Sequence, residues 1–417
     1  MPCKLLKATT DSEEFFYLSD RKAILVFIII LLAALVFMML SLIMRSIRET
    51  KAKEAEKARR KGKKRFSRLS ESDKRKRKSR SAEINIGLAG LCDGFRNFAA
   101  SRMGLYYDIN VIRAFISSLS VTKLIIMQGI SGTGKTSLGF ALGKYFSHDA
   151  VIVPVQPSWK DRTDMLGYYN EFTGTFTETD LLCALYEAGD CDDICITVLD
   201  EMNIARVEYY FAEFLSVLEL PDKSSRKIEV TSDSRQGDPE RLKDGKLDLS
   251  DNVWFIGTAN NDDSTLAISD KVYDRAMIIE LDSRSKPFES KYTEPVYISA
   301  SRLEALFEEA RKNGGLSSSC ISAIEELDRY LIDNLGITFG NRIMRQISSF
   351  VPVFTACGGS ESNAVDLILC KKVLRKLESQ NPVFVRSKVA GLCSTLDTLF
   401  GEGRLPMCRA YVNRFTR

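Results

Sequence analysis

The segment 129–136, GISGTGKT, most constrains the fold, because it follows an apolar run at 124–128 and precedes an amphipathic helix pattern at 136–146. Glycines in this pattern let consecutive backbone N–H groups point into one concavity, where a phosphate can bind. Lys135 would reach the terminal phosphates of a nucleotide, and Thr136 would offer its hydroxyl to Mg²⁺. The sequence therefore predicts a P-loop whose cofactor-binding residues are Gly129, Ser131, Gly132, Thr133, Gly134, Lys135, Thr136 and Ser137.

Short apolar runs alternate with amphipathic helix patterns over the middle of the chain. They lie at 124–128, 151–155, 194–199, 253–258 and 277–281. Strands that alternate with helices form a parallel sheet that is covered on both faces. From about residue 300 the apolar strands stop and helix patterns continue. The sequence therefore predicts an α/β fold, with a P-loop core built on a five-stranded parallel sheet and a small all-α domain after it.

Two acidic residues, Asp200 and Glu201, end the third apolar run. A carboxylate at the carboxyl end of a strand beside the loop can hold Mg²⁺, and a second one can orient or deprotonate an attacking water. Paired acids at a strand end also occur in ordinary solvated turns. With the loop upstream, the pair indicates a Mg²⁺ site at Thr136 and Asp200 and a catalytic Glu201, and it favours hydrolysis by water over phosphoryl transfer to a substrate.

Two polar side chains near the later strands complete the candidate catalytic set. Asn260 ends the run VWFIGTAN, where its amide could position the same water; the alternative is an Asx turn that caps the strand. Arg275 lies just before the last strand, where a guanidinium could act as an arginine finger on the phosphate of a neighbouring subunit. The alternative for this arginine is a salt bridge with Asp270 or Asp274.

Ordered motifs carry a family resemblance over roughly residues 120–417: GISGTGKT, LDEMNIARVEYYFAEFLSVLE, GTANNDDSTLAISDKVYDRA and ITFGNRIMRQI. They are similar to those of AAA+ ATPases, and more narrowly to the branch with the McrB-type motor subunits of modification-dependent restriction systems and the dynein-related and MoxR-like ATPases. The roles implied by position are Walker A for Lys135 and Thr136, Walker B for Asp200 and Glu201, sensor 1 for Asn260, the finger for Arg275, and sensor 2, the lid arginine turned toward the nucleotide, for Arg342.

This resemblance implies a Mg²⁺-dependent ATP hydrolase that works as a homo-oligomeric ring, a hexamer, on a protein client that the sequence does not identify. McrB itself is similar to GTP users. Because the guanine-reading Asn-Lys-x-Asp motif is absent, ATP is favoured and GTP is the alternative.

The alternative functions are a nucleotide-dependent assembly switch with little turnover and a McrB-like motor of a nucleic-acid defence system. DNA restriction itself is not implied, because a membrane helix and a basic segment stand where McrB-type proteins carry a DNA-reading domain.

The N-terminal part of the chain holds 22 residues, 23–44, with no charged side chain. At about 1.5 Å per residue, a helix of this length crosses a bilayer core of about 30 Å. Lys and Arg are abundant directly after it, which predicts a single-pass protein with its N-terminus outside and its globular part in the cytoplasm. The predicted organisation is a tail at 1–22, the span at 23–44, a basic tether at 45–83, a helical lead-in at 84–120, the α/β core at 121–285 and a linker with the helical lid at 286–417.

Charge separates the tether from the globular part. Residues 45–80 carry 18 Lys and Arg against five Asp and Glu, whereas residues 81–417 have a net charge of −9. The tether is predicted to be solvated, and it could act as a spacer, contact lipid headgroups or contact nucleic acid. Binding of nucleic acid by the acidic residues 81–417 is not favoured, because phosphates would be repelled. A polar insertion at 221–250 is interpreted as a surface loop. The alternative is that it lines the central channel of a ring of subunits.

The ten cysteines are scattered, and His148 is the single histidine. No pair of cysteines has zinc-ligand spacing with histidine support, and several lie in apolar stretches. We therefore interpret them as buried thiols of a protein in a reducing compartment. One histidine also excludes most acid–base and triad chemistry that depends on imidazole.

Overall fold

The computed structural model describes residues 10–61, 64–75, 83–260, 262 and 265–416, with side chains described for 25–51 and from residue 64 onward. Parts of the predicted tail (1–9) and of the predicted tether (62–63 and 76–82) lie outside the described residues. The chain divides into two compact units. One comprises residues 1–64 with 171–175, and the other comprises 65–170 with 176–417.

The described chain forms helices and strands with the following bounds. The helices are α1 (Thr10–Lys61), α2 (Arg68–Ser72), α3 (Leu88–Met103), α4 (Ile109–Leu119), α5 (Lys135–Tyr145), α6 (Arg162–Leu166), α7 (Asp180–Ala188), α8 (Val207–Tyr210), α9 (Ala212–Val217), α10 (Asp270–Tyr273), α11 (Ala300–Asn313), α12 (Ser318–Leu335), α13 (Asn341–Ala356), α14 (Glu361–Ile368), α15 (Pro382–Phe400) and α16 (Pro406–Asn413). The strands are β1 (Leu124–Gly129), β2 (Val151–Pro154), β3 (Gly167–Asn170), β4 (Thr175–Glu178), β5 (Cys195–Asp200), β6 (Lys227–Glu229), β7 (Leu242–Lys243), β8 (Lys246–Asp248), β9 (Val253–Asn260) and β10 (Met277–Glu280).

The main sheet has five parallel strands in the order β10-β1-β9-β5-β2. These are the five apolar runs of the sequence, so all predicted strands are confirmed. Side chains alternate between the two faces. Ile125 and Met127 of β1 join one buried cluster, and Leu124 and Ile126 join the other. Since both faces are covered, each strand is apolar along its length. The predicted fold class, an α/β core on a five-stranded parallel sheet followed by a helical C-terminal region, is confirmed.

Helices α11–α16 form the C-terminal helical domain, and the lead-in helices α3 and α4 connect it to the α/β core. Arg113 of α4 donates from Nε to the carbonyl of Cys357 (3.1 Å) at the end of α13. Trp254 of β9 donates from Nε1 to the carbonyl of Leu119 (3.0 Å), the last residue of α4. Residues of α3, α4, the sheet and the helical domain share one buried cluster, so these helices pack on both parts.

Residues 65–73 lie on the α/β core, which corrects the prediction of a solvated tether over this stretch. Phe66 and Leu69 are 1% and 0% exposed, and the ring of Phe66 stacks on Phe176 at 4.9 Å. Arg65 is also buried and pairs with Asp233 (2.5 Å) and Asp238 (3.2 Å). Two apolar side chains and a doubly paired arginine contribute to the docking of this short stretch, despite the charge around it.

The insertion 221–250 is a folded element. Strands β6, β8 and β7 form a small antiparallel sheet, and Ile228 and Leu247 are buried. Several of its basic side chains pair with acids of the chain: Arg226 pairs with Asp251 (2.8 Å), and Arg241 pairs with Asp190 (3.5 Å). The insertion is therefore a folded element and not a structureless loop.

Helix α1 contains one stretch, Leu25–Lys51, that is long and apolar enough to cross a membrane, and an 18-residue window within it has a mean hydropathy of 3.2. Its large apolar side chains are exposed. An N-terminal signal sequence shares these properties of length and composition.

None of the cysteines that the structure describes forms a disulfide. Cys92, Cys183, Cys195, Cys357, Cys370 and Cys408 are buried, whereas Cys191, Cys320 and Cys393 are half-buried. Most of them thus occupy the apolar environments that the sequence predicts.

Candidate nucleotide-binding site

The loop between β1 and α5 has a backbone that its glycines allow. Gly129 has φ 146°, and a Cβ there would lie 2.3 Å from the carbonyl oxygen of Leu281. Gly134 has φ 91°, in the left-handed region, and caps the N-terminus of α5. Larger residues would be strained at both positions. The backbone therefore turns sharply enough to bring the N-terminus of α5 to the end of β1, where a phosphate can accept from its N–H groups.

Lys135 is the first residue of α5 and is 6% exposed. Its Nζ donates to the carbonyls of Gly129 (2.9 Å) and Ile130 (2.7 Å), which keeps the ammonium inside the loop. Burial lowers the pKa of this ammonium, and the surrounding carboxylates, Asp200 among them, oppose that effect. A cation held in the loop is placed to meet phosphate oxygens.

The remaining predicted loop residues lie where a phosphate could reach them. Ser131 and Gly132 are exposed, and Thr133 donates from Oγ1 to the carbonyl of Ile130 (2.9 Å), which closes the turn. Ser137 is half-buried in the first turn of α5. The whole predicted cofactor-binding set therefore lies in one short segment, from the end of β1 through the loop to the first turn of α5.

Thr136, Asp200 and Thr258 form a hydrogen-bonded chain beside the loop. The Thr136 hydroxyl donates to Asp200 Oδ1 (2.6 Å), and the Thr258 hydroxyl donates to the same oxygen (2.8 Å). Thr258 Oγ1 in turn accepts from the backbone N–H of Glu201 (2.8 Å). One side chain of β9 thus fixes both acids at the end of β5.

Glu201 has φ 52°, in the left-handed region that non-glycine residues seldom adopt. It follows the last residue of β5, and its side chain is exposed. Such a backbone costs on the order of 1 kcal/mol and is retained where the surrounding structure enforces it, often at functional sites. Here the bond from the Glu201 N–H to Thr258 is one of the contacts that enforce it.

Asn260 pairs with Gly129 in the register of β9 and β1, so it lies at the edge of the sheet next to the loop. Asn203, just after the acidic pair, holds its backbone. The Asn203 amide donates to the Asn260 carbonyl (2.9 Å), and its oxygen accepts from the Asn260 N–H (3.3 Å). The structure therefore brings together Lys135, Thr136, Asp200, Glu201 and Asn260 at one edge of the sheet.

The oxygen atoms at this edge fit a magnesium ion that arrives with a nucleotide. Thr136 and Asp200 supply a hydroxyl and a carboxylate 2.6 Å apart, both of them hard donors that Mg²⁺ prefers. Among the residues that the structure describes, no group of three or more His, Cys, Asp and Glu side chains could hold a metal ion. Thr136 and Asp200 would hold such an ion, and the ion would offset the negative charge of the phosphates.

Arg275 and Arg342 meet at one acid, Glu219. Arg275 Nε lies 2.8 Å from Glu219 Oε2, and Arg342 Nη2 lies 3.0 Å from Glu219 Oε1. Asp270, an alternative partner that the sequence suggested for Arg275, pairs instead with Arg375 (3.0 Å). Both arginines line a cleft of about 340 Å³ that also contains Lys123 and Arg345. The cleft is therefore rich in cationic side chains.

This arginine cleft lies at the other end of the sheet from the loop. Arg275 stands two residues before β10, whose Met277 pairs with Ile125 near the start of β1, whereas the loop begins after Gly129 at its end. At about 3.3 Å per residue, the six residues of β1 separate the two regions by roughly 15–20 Å. Arg342, which the resemblance places as the lid arginine facing the nucleotide, is thus grouped with Arg275 rather than with the loop of its own chain.

Sequence reasoning missed four residues that shape these sites: Thr258, Asn203, Glu219 and Tyr107. Tyr107 donates from its hydroxyl to the carbonyl of Gly134 (2.9 Å) and so supports the loop from the lead-in segment. Thr258 and Asn203 lie within two residues of Asn260 and Glu201, so their closeness to predicted residues was an available signal. Glu219 gave no such signal, because its partners are distant in sequence.

Comparisons with known proteins bear on the fold alone. No family model and no curated protein matches the chain. One similar solved structure is a candidate ATPase from Cytophaga hutchinsonii, with 14% identity and a TM-score of 0.43 over 78% of this chain and 89% of that one. Another is a full-length MCM homolog from Methanopyrus kandleri, with 12% identity and a TM-score of 0.39 over 69% of this chain and 62% of the homolog, less than two thirds of its length. Similarity at this level carries no information on activity.

Proposed function

We propose that the chain is an AAA+ ATP hydrolase that uses Mg²⁺, is anchored in a membrane by the stretch Leu25–Lys51, and works as a homo-oligomeric ring, a hexamer, on a protein client. One observation carries the hydrolytic activity. Asp200 accepts from Thr136 beside the loop, and Glu201 follows it at the same strand end. A ligand for Mg²⁺ and a base for water are therefore neighbours.

Each residue of the site then has a definite task. Lys135 and the N–H groups of the loop bind and orient the phosphates. Thr136 and Asp200 would hold a Mg²⁺ ion, which would shield the charge of those phosphates. Glu201 accepts the proton of the attacking water, and the amide of Asn260 orients that water. Because Thr258 bonds to both acids, the base and the ion ligand keep a fixed spacing.

Support for a ring comes from the arginine cleft. A cleft with two arginines at the far end of the sheet is too distant to act on the nucleotide of its own chain, yet it suits the phosphates of an adjacent copy. In a single chain Glu219 neutralises part of its charge. We therefore propose that Arg275 and Arg342 together complete the site of a neighbouring subunit, where a guanidinium stabilises the charge of the transition state.

Steady turnover of ATP by the full-length chain in detergent tests this function. Glu201→Gln should keep nucleotide binding and lose turnover by roughly 100-fold or more, because the general base is removed. Lys135→Ala should lose binding itself, which separates the two steps. GTP offered in place of ATP tests the alternative nucleotide.

Binding without turnover at any protein concentration would exclude a hydrolase and favour the nucleotide-dependent assembly switch. Turnover that rises only when DNA is added would favour the motor of a nucleic-acid defence system. A Glu201→Gln chain that keeps its nucleotide is also the form best suited to retain and identify the protein client.

A further inference from the structure

Lys372 of the helical domain binds the backbone on both sides of Arg275. Its Nζ donates to the carbonyls of Tyr273 (2.7 Å), Asp274 (3.2 Å) and Ala276 (2.7 Å). A lysine ammonium has three N–H donors, so these carbonyls use all of them. The side chain is 4% exposed. The turn that presents Arg275 is therefore fixed by a group from the C-terminal helical region.

Further contacts from the helical domain reach the same turn. Gln346 of α13 donates from Nε2 to the carbonyl of Asp274 (3.2 Å). Arg375 lies over the ring of Tyr273 at 3.3 Å and pairs with Asp270 (3.0 Å). The backbone from 270 to 276 thus contacts the helical domain at several points, and Lys372 makes the most buried of these contacts.

A role in packing alone does not account for a lysine at this position. Removing an ammonium from water is costly, and burial lowers the pKa of Lys372 to about 7. An apolar side chain of similar volume would avoid that cost. Lys372 also lies on a π-helical turn, Leu369–Val373, which is a rare geometry that often occurs at functional sites. The cost is offset by directional bonds to the carbonyls around Arg275.

We propose that Lys372 is a positioning residue for Arg275, through which the helical domain sets where that guanidinium meets the phosphates of the adjacent subunit. This inference rests on the proposed function, in which Arg275 acts on a neighbour. A displacement of about 1 Å in a catalytic group can lower a rate by roughly 100-fold. A movement of the helical domain therefore changes hydrolysis at the next site through the position of Arg275, in addition to any direct contact that Arg342 makes there.

Mixed assemblies of full-length chains in detergent test this proposal. A Lys372→Met chain keeps its own P-loop and its acidic pair, but its Arg275 is misplaced. A Glu201→Gln chain lacks the general base and keeps Arg275 in place. Each variant alone should turn over ATP slowly, with Lys372→Met down by roughly 100-fold. When the two are mixed before nucleotide is added, intact sites on Lys372→Met chains face intact arginines on Glu201→Gln chains. Turnover should then rise well above the sum of the separate rates.

Lys371 offers a matched control. It is the preceding residue of the same turn, is 6% exposed, and pairs with Glu280 at the other end of β10. Lys371→Met thus removes a buried lysine without touching the turn around Arg275, and mixing it with Glu201→Gln should give no more than the summed rates. If Lys372→Met fails to fold, Gln346→Leu removes a single bond to the same turn and should show a smaller loss that mixing also restores.

Arg275→Ala mixed with Glu201→Gln distinguishes the possible failures. If this pair regains turnover and the Lys372→Met pair does not, Lys372 does not position the arginine and the proposal is overturned. If neither pair regains turnover although wild type is active, Arg275 does not act on a neighbour, and the proposed function fails together with the inference.

Discussion

The hydroxyl of Thr258 donates to Asp200 and accepts from the backbone N–H of Glu201. Two acids of the site therefore depend on one neutral side chain from the adjacent strand. Because Thr136 also donates to Asp200, this carboxylate oxygen has two hydroxyl partners and is held as an acceptor that faces the loop.

Thr258→Val tests this dependence, because valine has the same shape without the hydroxyl. The Glu201 N–H and Asp200 then each lose a partner, which we expect to lower the free energy of unfolding by roughly 1–3 kcal/mol. Turnover should fall at least tenfold, since Glu201 is no longer held at its spacing from Asp200, while nucleotide binding stays close to normal. Turnover, nucleotide titration and urea unfolding measure the three effects.

Thr197→Val is the matched control, since Thr197 is a buried threonine of β5 that lies away from the strand end. It should leave turnover near the wild-type rate. Equal losses of turnover in the two variants would mean that Thr258 acts only through general stability and not through the acids.

At the scale of elements, the docked segment 65–73 depends on one carboxylate. Glu178, at the end of β4, accepts from the backbone N–H groups of Ser67 (2.9 Å), Arg68 (3.0 Å) and Leu69 (2.8 Å). These groups open the short helix α2, where the first N–H groups lack partners within the helix. Glu178 thus acts as an N-terminal cap supplied from a distant part of the chain.

Glu178→Ala should loosen this segment. The capped N–H groups lose a charged acceptor, and hydrogen bonds to a charged group contribute roughly 1.5–3 kcal/mol each, so local opening becomes much more frequent. Hydrogen exchange measured by mass spectrometry should show faster exchange in a peptide that covers 65–73. Glu326→Ala, which removes an exposed glutamate of α12, should leave that peptide unchanged. Exchange that is equally slow in both variants would show that Phe66 and Leu69 alone keep the segment docked.

Elements that carry a local pattern could be predicted from the sequence, and elements that depend on distant partners could not. The strands of the main sheet are continuous apolar runs because both faces of the sheet are buried. The docked segment has only two apolar residues among many charges, and its partners Glu178, Asp233 and Asp238 lie more than 100 residues away. The strands of the insertion are two or three residues long in a polar stretch, too short to show periodicity.

The same distinction applies to the candidate site. The P-loop and the acidic pair each lie at the end of a strand, and so does Asn260. Because parallel strands bring their carboxyl ends to one edge of the sheet, the proximity of these residues could be predicted. The pairing of Arg275 and Arg342 through Glu219 joins three separate elements from the core and the helical domain. Only the packing of α13 against the turn before β10 brings them together, and no spacing in the sequence encodes that packing.

At the scale of the whole molecule, the proposed function separates two halves of one reaction. In that proposal, phosphate binding and water activation would occur at one end of the sheet, and the arginine cleft lies at the other, so a complete site would need two copies of the chain. Chains held in one membrane meet at a higher effective concentration than chains in solution. Anchoring would therefore favour the assembly on which turnover depends.

Membrane anchoring by the stretch Leu25–Lys51 is tested by fractionation. Each Leu, Ile, Phe or Val in a spanning helix favours insertion by roughly 0.3–0.6 kcal/mol, so the full-length chain should stay in the membrane pellet through alkaline carbonate and high-salt washes. Deletion of 23–44 should move the protein to the soluble fraction, whereas substitution of Lys51 by Gln should not, because the apolar stretch is intact. Protease added to the cytoplasmic face of sealed vesicles should digest residues 83–416. A mature protein whose intact mass lacks the first 44 residues would instead identify the stretch as a cleaved signal sequence, and the ring would then be free of the membrane.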